Sequence, residues 1–374
     1  MHVGLNLIFL VPGETGGMEV GARELIPRLL DAAPPQTRFT AFVNRDAGPG
    51  PWSELMPHVV VPVSVANRIG WVRGEQLLLP GAARDAGVDL VHSLASTGPA
   101  RGRFKRVVTV HDLIYRRFPE AHAGMRSLGM RVLVPLAVRR SDRVIAVSEA
   151  TKRDLVELLR TPAERIDVVA QGFGASVRAA PEPEQTVRER LGLGDRDVLL
   201  ALSAKRPHKN LEALLEALAS LAAPGRPVLV LAGYATAYER TLRERADALG
   251  LTGDVRWPGW LDPGELEGLW AITKGFVFPS LYEGFGLPVL EAMSRGVPVA
   301  CSNAASLPEV AGDAALLFDP RDTRALADAL ARLLAGGPEV ERLRSAGLAR
   351  AATFTWERTA RLTLDSYRRT LTAA

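Results

Sequence analysis

The chain contains a single cysteine, Cys301, in 374 residues. That excludes a disulfide framework and any multi-cysteine metal centre, and it fits a reducing compartment, so a cytoplasmic location is expected. Lysine is nearly as scarce: Lys105, Lys152, Lys205, Lys209 and Lys274 are the only ones, and the remaining basic residues are all arginine. No apolar run reaches the ~18–20 residues that cross a bilayer. Residues 1–11 are apolar enough to imitate a signal core but lack a basic leader and a small-residue cleavage site, so they are read as the first buried strand. No period of 20–50 residues and no low-complexity tract is present, which sets aside solenoids and fibrous folds. An excess of one charge is missing too: 46 basic residues against 42 acidic ones leave only +4.

What is there is ordinary globular material, 47% hydrophobic and 24% charged, enough for two cores and incompatible with global disorder. At ~100–200 residues per domain, the length suggests two domains. Short apolar runs alternate with longer amphipathic stretches. The first series is Leu5–Val11, Phe39–Val43, Val59–Val63, Leu90–His92, Val107–Val110, Val144–Ala146 and Ile166–Val169. The second is Val198–Leu202, Val228–Ala232, Val255–Trp257, Gly275–Phe278, Val299–Cys301 and Ala315–Phe318, separated by helical stretches such as Leu211–Leu221 and Tyr238–Leu249. Such alternation predicts an α/β chain with two doubly wound parallel sheets. Gly172, Gly174, Pro181 and Pro183 break the pattern over residues 171–185, the expected linker. Ligands of such sheets bind at the carboxyl ends of the strands, so the residues just after each run carry the functional information.

The richest of these segments is Pro279-Ser-Leu-Tyr-Glu283-Gly284-Phe285-Gly286-Leu287-Pro288-Val-Leu-Glu291-Ala-Met293. Pro288 suits a first helical position. The backbone amides of Gly284 to Leu287 then sit at a helix entrance, where the glycines and the helix dipole suit a phosphate. Glu291, one turn inside, is placed to accept hydrogen bonds from neutral hydroxyls such as those of a ribose, and Glu283 in the loop from those of a sugar. A bare Gly-x-Gly would be an ordinary turn with solvated glutamates; the whole block is more specific. With Gly296-Val-Pro298-Val, Ser306-Leu-Pro-Glu309-Val and Gly312-Asp-Ala-Ala-Leu, it resembles the Glu-x7-Glu signature of the retaining family 4 glycosyltransferases. The resemblance spans most of the chain and is most specific in its second half.

The resemblance implies the GT-B fold, two Rossmann-like domains facing across a cleft. Residues 1–172, with 355–374 crossing back onto them, are expected on the acceptor side, and residues 173–354 are expected to hold the nucleotide sugar. It also implies that Glu283 contacts the donor sugar and Glu291 the ribose. After the second domain's first strand comes Lys205-Arg206-Pro-His208-Lys209-Asn210, whose cations suit a departing diphosphate. Lys209-Asn210 resembles the family's pair there. The arginine that the family carries near Ala204 is missing, and Arg206 is taken as its substitute ahead of Lys205.

In the first domain, Gly16 and Gly17 lie in a loop after the first strand, where the resemblance implies proximity to donor phosphate and acceptor. The His111-Asp112 pair follows a strand end and is similar to the family pair that reaches the sugar. Ser148 reads as a helix N-cap. Asp195-Arg-Asp197 has the form of a metal-binding Asp-x-Asp but lies in a Gly-bounded turn, so it is read as structural, and no metal and no other cofactor is expected. Arg116, Arg117, Arg126, Arg131, Arg139, Arg140 and Arg143 suit either an anionic bilayer or lipid-linked acceptor at the inner membrane face, or a solvated helix surface.

The resulting expectation is a metal-independent, retaining hexosyltransferase of bacterial polysaccharide assembly. It would move a hexose from GDP-mannose, or less readily UDP-glucose, to a glycan, lipid-linked or small-molecule acceptor. An epimerase on the same fold is the rival within enzymes. A basic nucleic-acid-binding protein is the rival outside them, and scattered arginines with few interleaved aromatics count against it, so no nucleic-acid partner is expected.

Overall fold

A computed structural model of the chain describes residues 1–374 except 14–15, 66–67, 120–124, 174–178, 223–224 and 373–374, together with the side chains of 125–128. The chain divides into two compact units, Met1–Ala175 with Phe354–Ala374, and Ser176–Thr353. Each is an α/β, Rossmann-like unit on one parallel sheet.

The first sheet comprises β1 (His2–Leu7), β2 (Arg38–Val43), β3 (His58–Val60), β4 (Leu90–Ser93), β5 (Lys105–Val110), β6 (Arg143–Ala146) and β7 (Ile166–Val168). Their order is β3-β2-β1-β4-β5-β6-β7, every pair parallel. The second comprises β8 (Val198–Leu202), β9 (Val228–Ala232), β10 (Val255–Gly259), β11 (Thr273–Phe278), β12 (Val299–Ser302) and β13 (Ala315–Phe318). Their order is β10-β9-β8-β11-β12-β13, again all parallel. Runs such as Val228-Leu-Val-Leu-Ala232 are apolar at successive positions and wholly buried, because helices cover both faces of a parallel sheet. Gly275 lets helix Thr323–Ala335 lie directly on β11: a Cβ there would stand 2.9 Å from Leu333 Cδ1.

Each sheet reverses its winding once, between β1 and β4 and between β8 and β11. Ligands of open α/β sheets bind outside the carboxyl ends of the strands at such a switch point. The Gly16-Gly17 loop follows β1, the Lys205–Asn210 segment follows β8, the Pro279–Gly286 loop follows β11, and His111 follows β5 beside β4.

The C-terminal helix, Trp356–Thr372, completes the first unit's core against helix Gly17–Ala32. Trp356 and Tyr367 are buried in the same cluster as Leu5, Ile26 and Leu90. The Tyr367 hydroxyl is 2.7 Å from His92 Nδ1, and His92 Nε2 is 2.8 Å from Thr109 Oγ1. Burial, reinforced by the nearby His111, holds His92 down at about 3, so this tie is neutral. Gly172 supplies the close approach, since a Cβ there would stand 2.5 Å from the Trp356 backbone nitrogen.

Two local readings change. The opening strand ends at Leu7 rather than Val11 because Asn44 Nδ2 donates to the Ile8 and Leu10 carbonyls at 2.8 and 2.7 Å, turning the chain. The expected linker is shorter than residues 171–185, since helix Glu184–Leu191 already begins inside it. In the arginine cluster, Arg117 pairs with Asp154 and Glu157, and Arg143 with Asp167, while Arg116, Arg131, Arg139 and Arg140 are exposed; the Arg126 side chain lies outside the described residues. Among the described residues no helix is long and apolar enough to cross a membrane.

Trp356→Ala is expected to destabilise the first unit by ~3–5 kcal/mol, the usual range for truncating a buried tryptophan. Chemical unfolding of the whole chain followed by circular dichroism measures it; a loss under ~1 kcal/mol would show that the C-terminal helix is not part of that core.

Candidate active site

At the switch point of the second unit, two segments lock together. Lys209 ends the short 3-10 turn Pro207–Lys209, and its Nζ donates to Glu283 Oε1 at 2.6 Å while lying 5.3 Å from the centre of the Phe278 ring. Both side chains are mostly buried, at 16% and 15% exposure, so the pair is shielded from the screening that makes surface ion pairs weak. Asn210, in the left-handed region at φ 57°, donates from Nδ2 to the Pro279 carbonyl at 3.1 Å and the Pro320 carbonyl at 2.7 Å. Asparagine tolerates that backbone better than most residues. The Leu281 amide donates to the His208 carbonyl at 2.8 Å, and Ser306 Oγ donates to the Glu283 carbonyl at 3.0 Å. The loop bearing Glu283 is thus anchored on three sides.

Gly286 then caps helix Leu287–Met293, with Pro288 in its first turn. Its φ of 128° and the 2.8 Å approach a Cβ would make to Leu307 Cδ2 both demand glycine. Gly284 and Phe285 lie in the bend before it, the Phe285 ring buried, and Leu287 is the helix's first residue. Glu291 sits on the helix, half-buried, and Arg295 beyond its end donates from Nη1 to the Glu291 carbonyl at 2.9 Å while pairing with Glu267 and covering the Trp270 ring. Burial, opposed by Arg295 and assisted by Glu267, pushes the Glu291 carboxyl up to about 7. Lys205 separates from the rest: it is 1% exposed and donates from Nζ to the Gly233 carbonyl at 2.6 Å, and burial lowers it to about 8. Arg206 is half-buried and opens the 3-10 turn that carries Lys209.

In the first unit, His111 Nε2 is 2.7 Å from the Leu94 carbonyl. A carbonyl only accepts, so Nε2 carries the hydrogen and Nδ1 keeps its lone pair, 3.4 Å from Gln171 Nε2. Burial lowers the imidazole's pKa against the opposing Leu94 hydrogen bond and Asp112 charge, which favours the neutral ring. Asp112 is turned to the backbone, accepting from the Ile114 amide at 3.0 Å. His111, Gln171, Met18, Thr109, Trp356 and Thr359 line a cavity of about 40 Å³, room for water. Gly16, at φ 56° and ψ −132°, precedes helix Gly17–Ala32, and among the described residues none beyond its chain neighbours comes within 4 Å of where its Cβ would be, so conformation rather than crowding selects glycine. Glu14 and Thr15 of that loop lie outside the described residues.

Residues 183–350 match the family model described as glycosyl transferases group 1, and residues 15–174 match glycosyltransferase family 4. O-antigen chain mannosyltransferase B of Escherichia coli is 32% identical over 267 residues, covering 71% of this chain and 70% of that protein. The chain is a family 4 glycosyltransferase. Among solved structures, sucrose-phosphate synthase from Thermosynechococcus elongatus superposes with a TM-score of 0.78 at 21% identity, each chain covered in full. Anabaena HepE, solved in complex with UDP-glucose, gives 0.73 at 20% identity with 99% of both chains covered. Both likenesses show the GT-B fold.

The glycosyltransferase therefore brings Lys209 and Glu283 into direct contact, keeps Arg206 on the adjoining turn, and sets Glu291 against Arg295 and Glu267. Sequence reasoning named Lys209 and Glu283 separately and missed that they form a pair, because 74 residues part them. It also passed over Tyr234 and Trp260, an exposed stacked pair 4.6 Å apart, each following a glycine at the end of β9 or β10. The Gly-aromatic dipeptide after two successive strands was the available signal. Ser148 does cap helix Glu149–Leu159, accepting from the Thr151 amide at 3.0 Å, and Asp197 is occupied by Lys274 at 2.7 Å.

The raised carboxyl of Glu291 sets a pH dependence. A carboxyl whose folded pKa of about 7 exceeds its ordinary 4.5 contributes stability that is complete below pH 4.5 and lost as pH rises through 7. Glu291→Gln removes that loss, so the variant should gain on wild type in urea unfolding between pH 5 and pH 8. Parallel stability-against-pH curves for the two proteins would contradict it.

Proposed function

We propose that this glycosyltransferase transfers a hexose with retention of configuration from a nucleotide sugar, GDP-mannose in preference to UDP-glucose, to a glycan, lipid-linked or small-molecule acceptor. The Lys209–Glu283 pair at the second unit's switch point carries the reading. A carboxylate fixed by a cation keeps one orientation, and Glu283 has a second oxygen for the hydroxyls of a hexose. The same lysine, with Arg206, offers positive charge to the diphosphate as its glycosidic bond breaks and charge accumulates on the leaving oxygen. The amides of Gly284 to Leu287 serve the phosphates, Glu291 the ribose hydroxyls, and the exposed Tyr234–Trp260 stack the flat face of the base. The similarity to the Escherichia coli mannosyltransferase supports mannose, and the HepE complex keeps a uridine donor as the second reading.

The first unit's histidine supports retention. An inverting transfer needs a general base on the acceptor hydroxyl. Burial makes His111 a weak base, and its Nε2–H is already given to Leu94, which suits it to orient a sugar through Nδ1. The leaving phosphate oxygen is left to accept the proton: the C1–O bond to phosphate breaks, the acceptor oxygen bonds to C1 on the same face, and the acceptor's proton passes to the departing diphosphate. Gly16 and Gly17, in the loop after β1, would lie near the acceptor and the donor phosphates. Lys209 and Arg206 take the place of a bridging metal, so turnover should survive EDTA.

A thermal-shift panel of nucleotide sugars tests the donor, since a ligand bound to the folded state stabilises it by RT ln(1 + [L]/Kd). GDP-mannose should give the largest shift, and a larger one with UDP-glucose would reverse the preference. Lys209→Ala and Arg206→Ala should lower kcat ~10²–10³-fold with a smaller change in donor affinity. Proton NMR of the first product should show the donor's α configuration; a β-linked product would overturn the retaining mechanism.

A further inference from the structure

Glu75 is 2% exposed, and the reaction as derived makes no use of it. It lies in a π-helical turn, Gly74–Leu78, between helices Arg68–Arg73 and Leu79–Asp85. Such turns insert a residue into a helix and are found frequently at functional sites. Gly74 lets the turn seat closely, since a Cβ there would stand 2.7 Å from Val63 Cγ2.

The carboxyl is held entirely by neutral donors. Asn6 Nδ2 donates to Glu75 Oε1 at 2.9 Å and to Ser93 Oγ at 3.0 Å, and Thr97 Oγ1 donates to Glu75 Oε1 at 3.1 Å. Gln76 Nε2 donates to Glu75 Oε2 at 3.3 Å and to the Gly98 carbonyl at 2.8 Å, and Gln76 Oε1 accepts from the Ala100 amide at 3.1 Å. Among the described residues no basic side chain pairs with Glu75, and burial pushes its carboxyl up to about 7. A buried carboxyl without a cation is costly compared with an apolar residue of similar size. Glu75, Gln76 and Asn6 converge on one segment, the loop after β4 from Ser93 to Ala100.

The same loop holds His111 from its other side. Its Leu94 carbonyl accepts from His111 Nε2 at 2.7 Å, and Ser96 Oγ accepts from the His111 amide at 3.1 Å. Ser96 sits at φ 60°, in the left-handed region, with its amide on the Thr109 carbonyl at 2.8 Å. A serine held in that conformation needs its surroundings to fix it. Gly98 allows the loop to fold on itself, since a Cβ there would stand 2.7 Å from Ser93 Oγ.

We propose that Glu75 is a positioning residue for His111: through Asn6, Ser93 and Thr97 it fixes the loop whose Ser96 hydroxyl holds the His111 backbone amide and whose Leu94 carbonyl sets the imidazole's orientation and tautomer. The kinetic consequence rests on the reading of His111 as a residue at the transferred sugar; the effect on the imidazole itself does not.

Two variants of the full chain test this, Glu75→Gln and Thr97→Val, the second removing only the hydroxyl that binds Glu75. Nitrogen-15 spectra of the imidazoles, with His111 assigned by its loss in His111→Ala, should show Nε2 protonated in wild type. The His111 signals should shift toward a mixture of tautomers in at least one variant. With the nucleotide sugar that wild type turns over, Glu75→Gln should lower kcat ~10-fold or more with donor KM within about twofold, against the ~10²-fold cost of ångström-scale misplacement. In a His111→Ala background it should cause no further loss, because its effect passes through that ring. Unchanged His111 signals in both variants, or losses that multiply in the double mutant, would overturn the proposal. If Glu75→Gln fails to fold, Thr97→Val carries the same measurements. Shifted signals together with full turnover by His111→Ala would uphold the positioning role and remove His111 from the sugar site instead.

Discussion

Parallel strands joined by helical crossovers bring every loop that follows a strand to the same edge of the sheet. The rest of this molecule follows from that constraint. In the second unit it places segments 74 residues apart in sequence on either side of the gap between β8 and β11, where Lys209 can reach Glu283. In the first unit it places the loops after β1, β4 and β5 side by side, so that the backbone after β4 can orient a histidine after β5. Neither arrangement needs a special backbone within the strands, only loops held once they leave them.

Holding the loops is the task of polar side chains that bind main-chain carbonyls. Asn210 spans to Pro279 and Pro320, Ser302 Oγ donates to the Ser280 carbonyl at 2.6 Å, and Ser306 holds the Glu283 carbonyl. Asn44 does the same for the Ile8 and Leu10 carbonyls after β1. Buried carbonyls left by a turning chain must find donors, and short side chains of low rotamer entropy supply them at little cost. Rigid loops then present Lys209, Glu283 and His111 in one geometry each.

Strand positions were legible in the sequence because continuous apolar runs leave few alternatives once both faces of a sheet are covered. The Glu283–Glu291 block was legible because a glycine with positive φ, Gly286, and a helix-opening proline are local requirements, met within a dozen residues. Long-range pairing was not. Glu75 reads in sequence as one charged residue among helical neighbours, with nothing to show that a π turn buries it. Lys205 and Lys209 lie four residues apart, and nothing local in the sequence shows that one is buried. The structure separates them by burial: one ammonium caps the Gly233 carbonyl and the other meets a carboxylate. The first strand was overextended for a related reason, since Ile8–Val11 are apolar enough to continue it and only Asn44, far along the chain, turns them away.

Burial sorts the ionisable groups into two sets. Glu75, Glu291, His92 and His111 are all displaced toward their neutral forms, and in each case desolvation is the largest cause. Lys209 and Glu283 are also mostly buried, and each meets the other at 2.6 Å, so neither is left without a partner of opposite sign. Glu75 and His111 are thus held by neutral hydrogen-bonding groups, while the switch point of the second unit carries a mostly buried ion pair. A reaction that sheds a diphosphate needs fixed positive charge where the leaving group forms and does not need it where a neutral hydroxyl attacks. Under the transfer proposed above, Lys209 is that fixed charge, and its ion pair with Glu283 holds it in place.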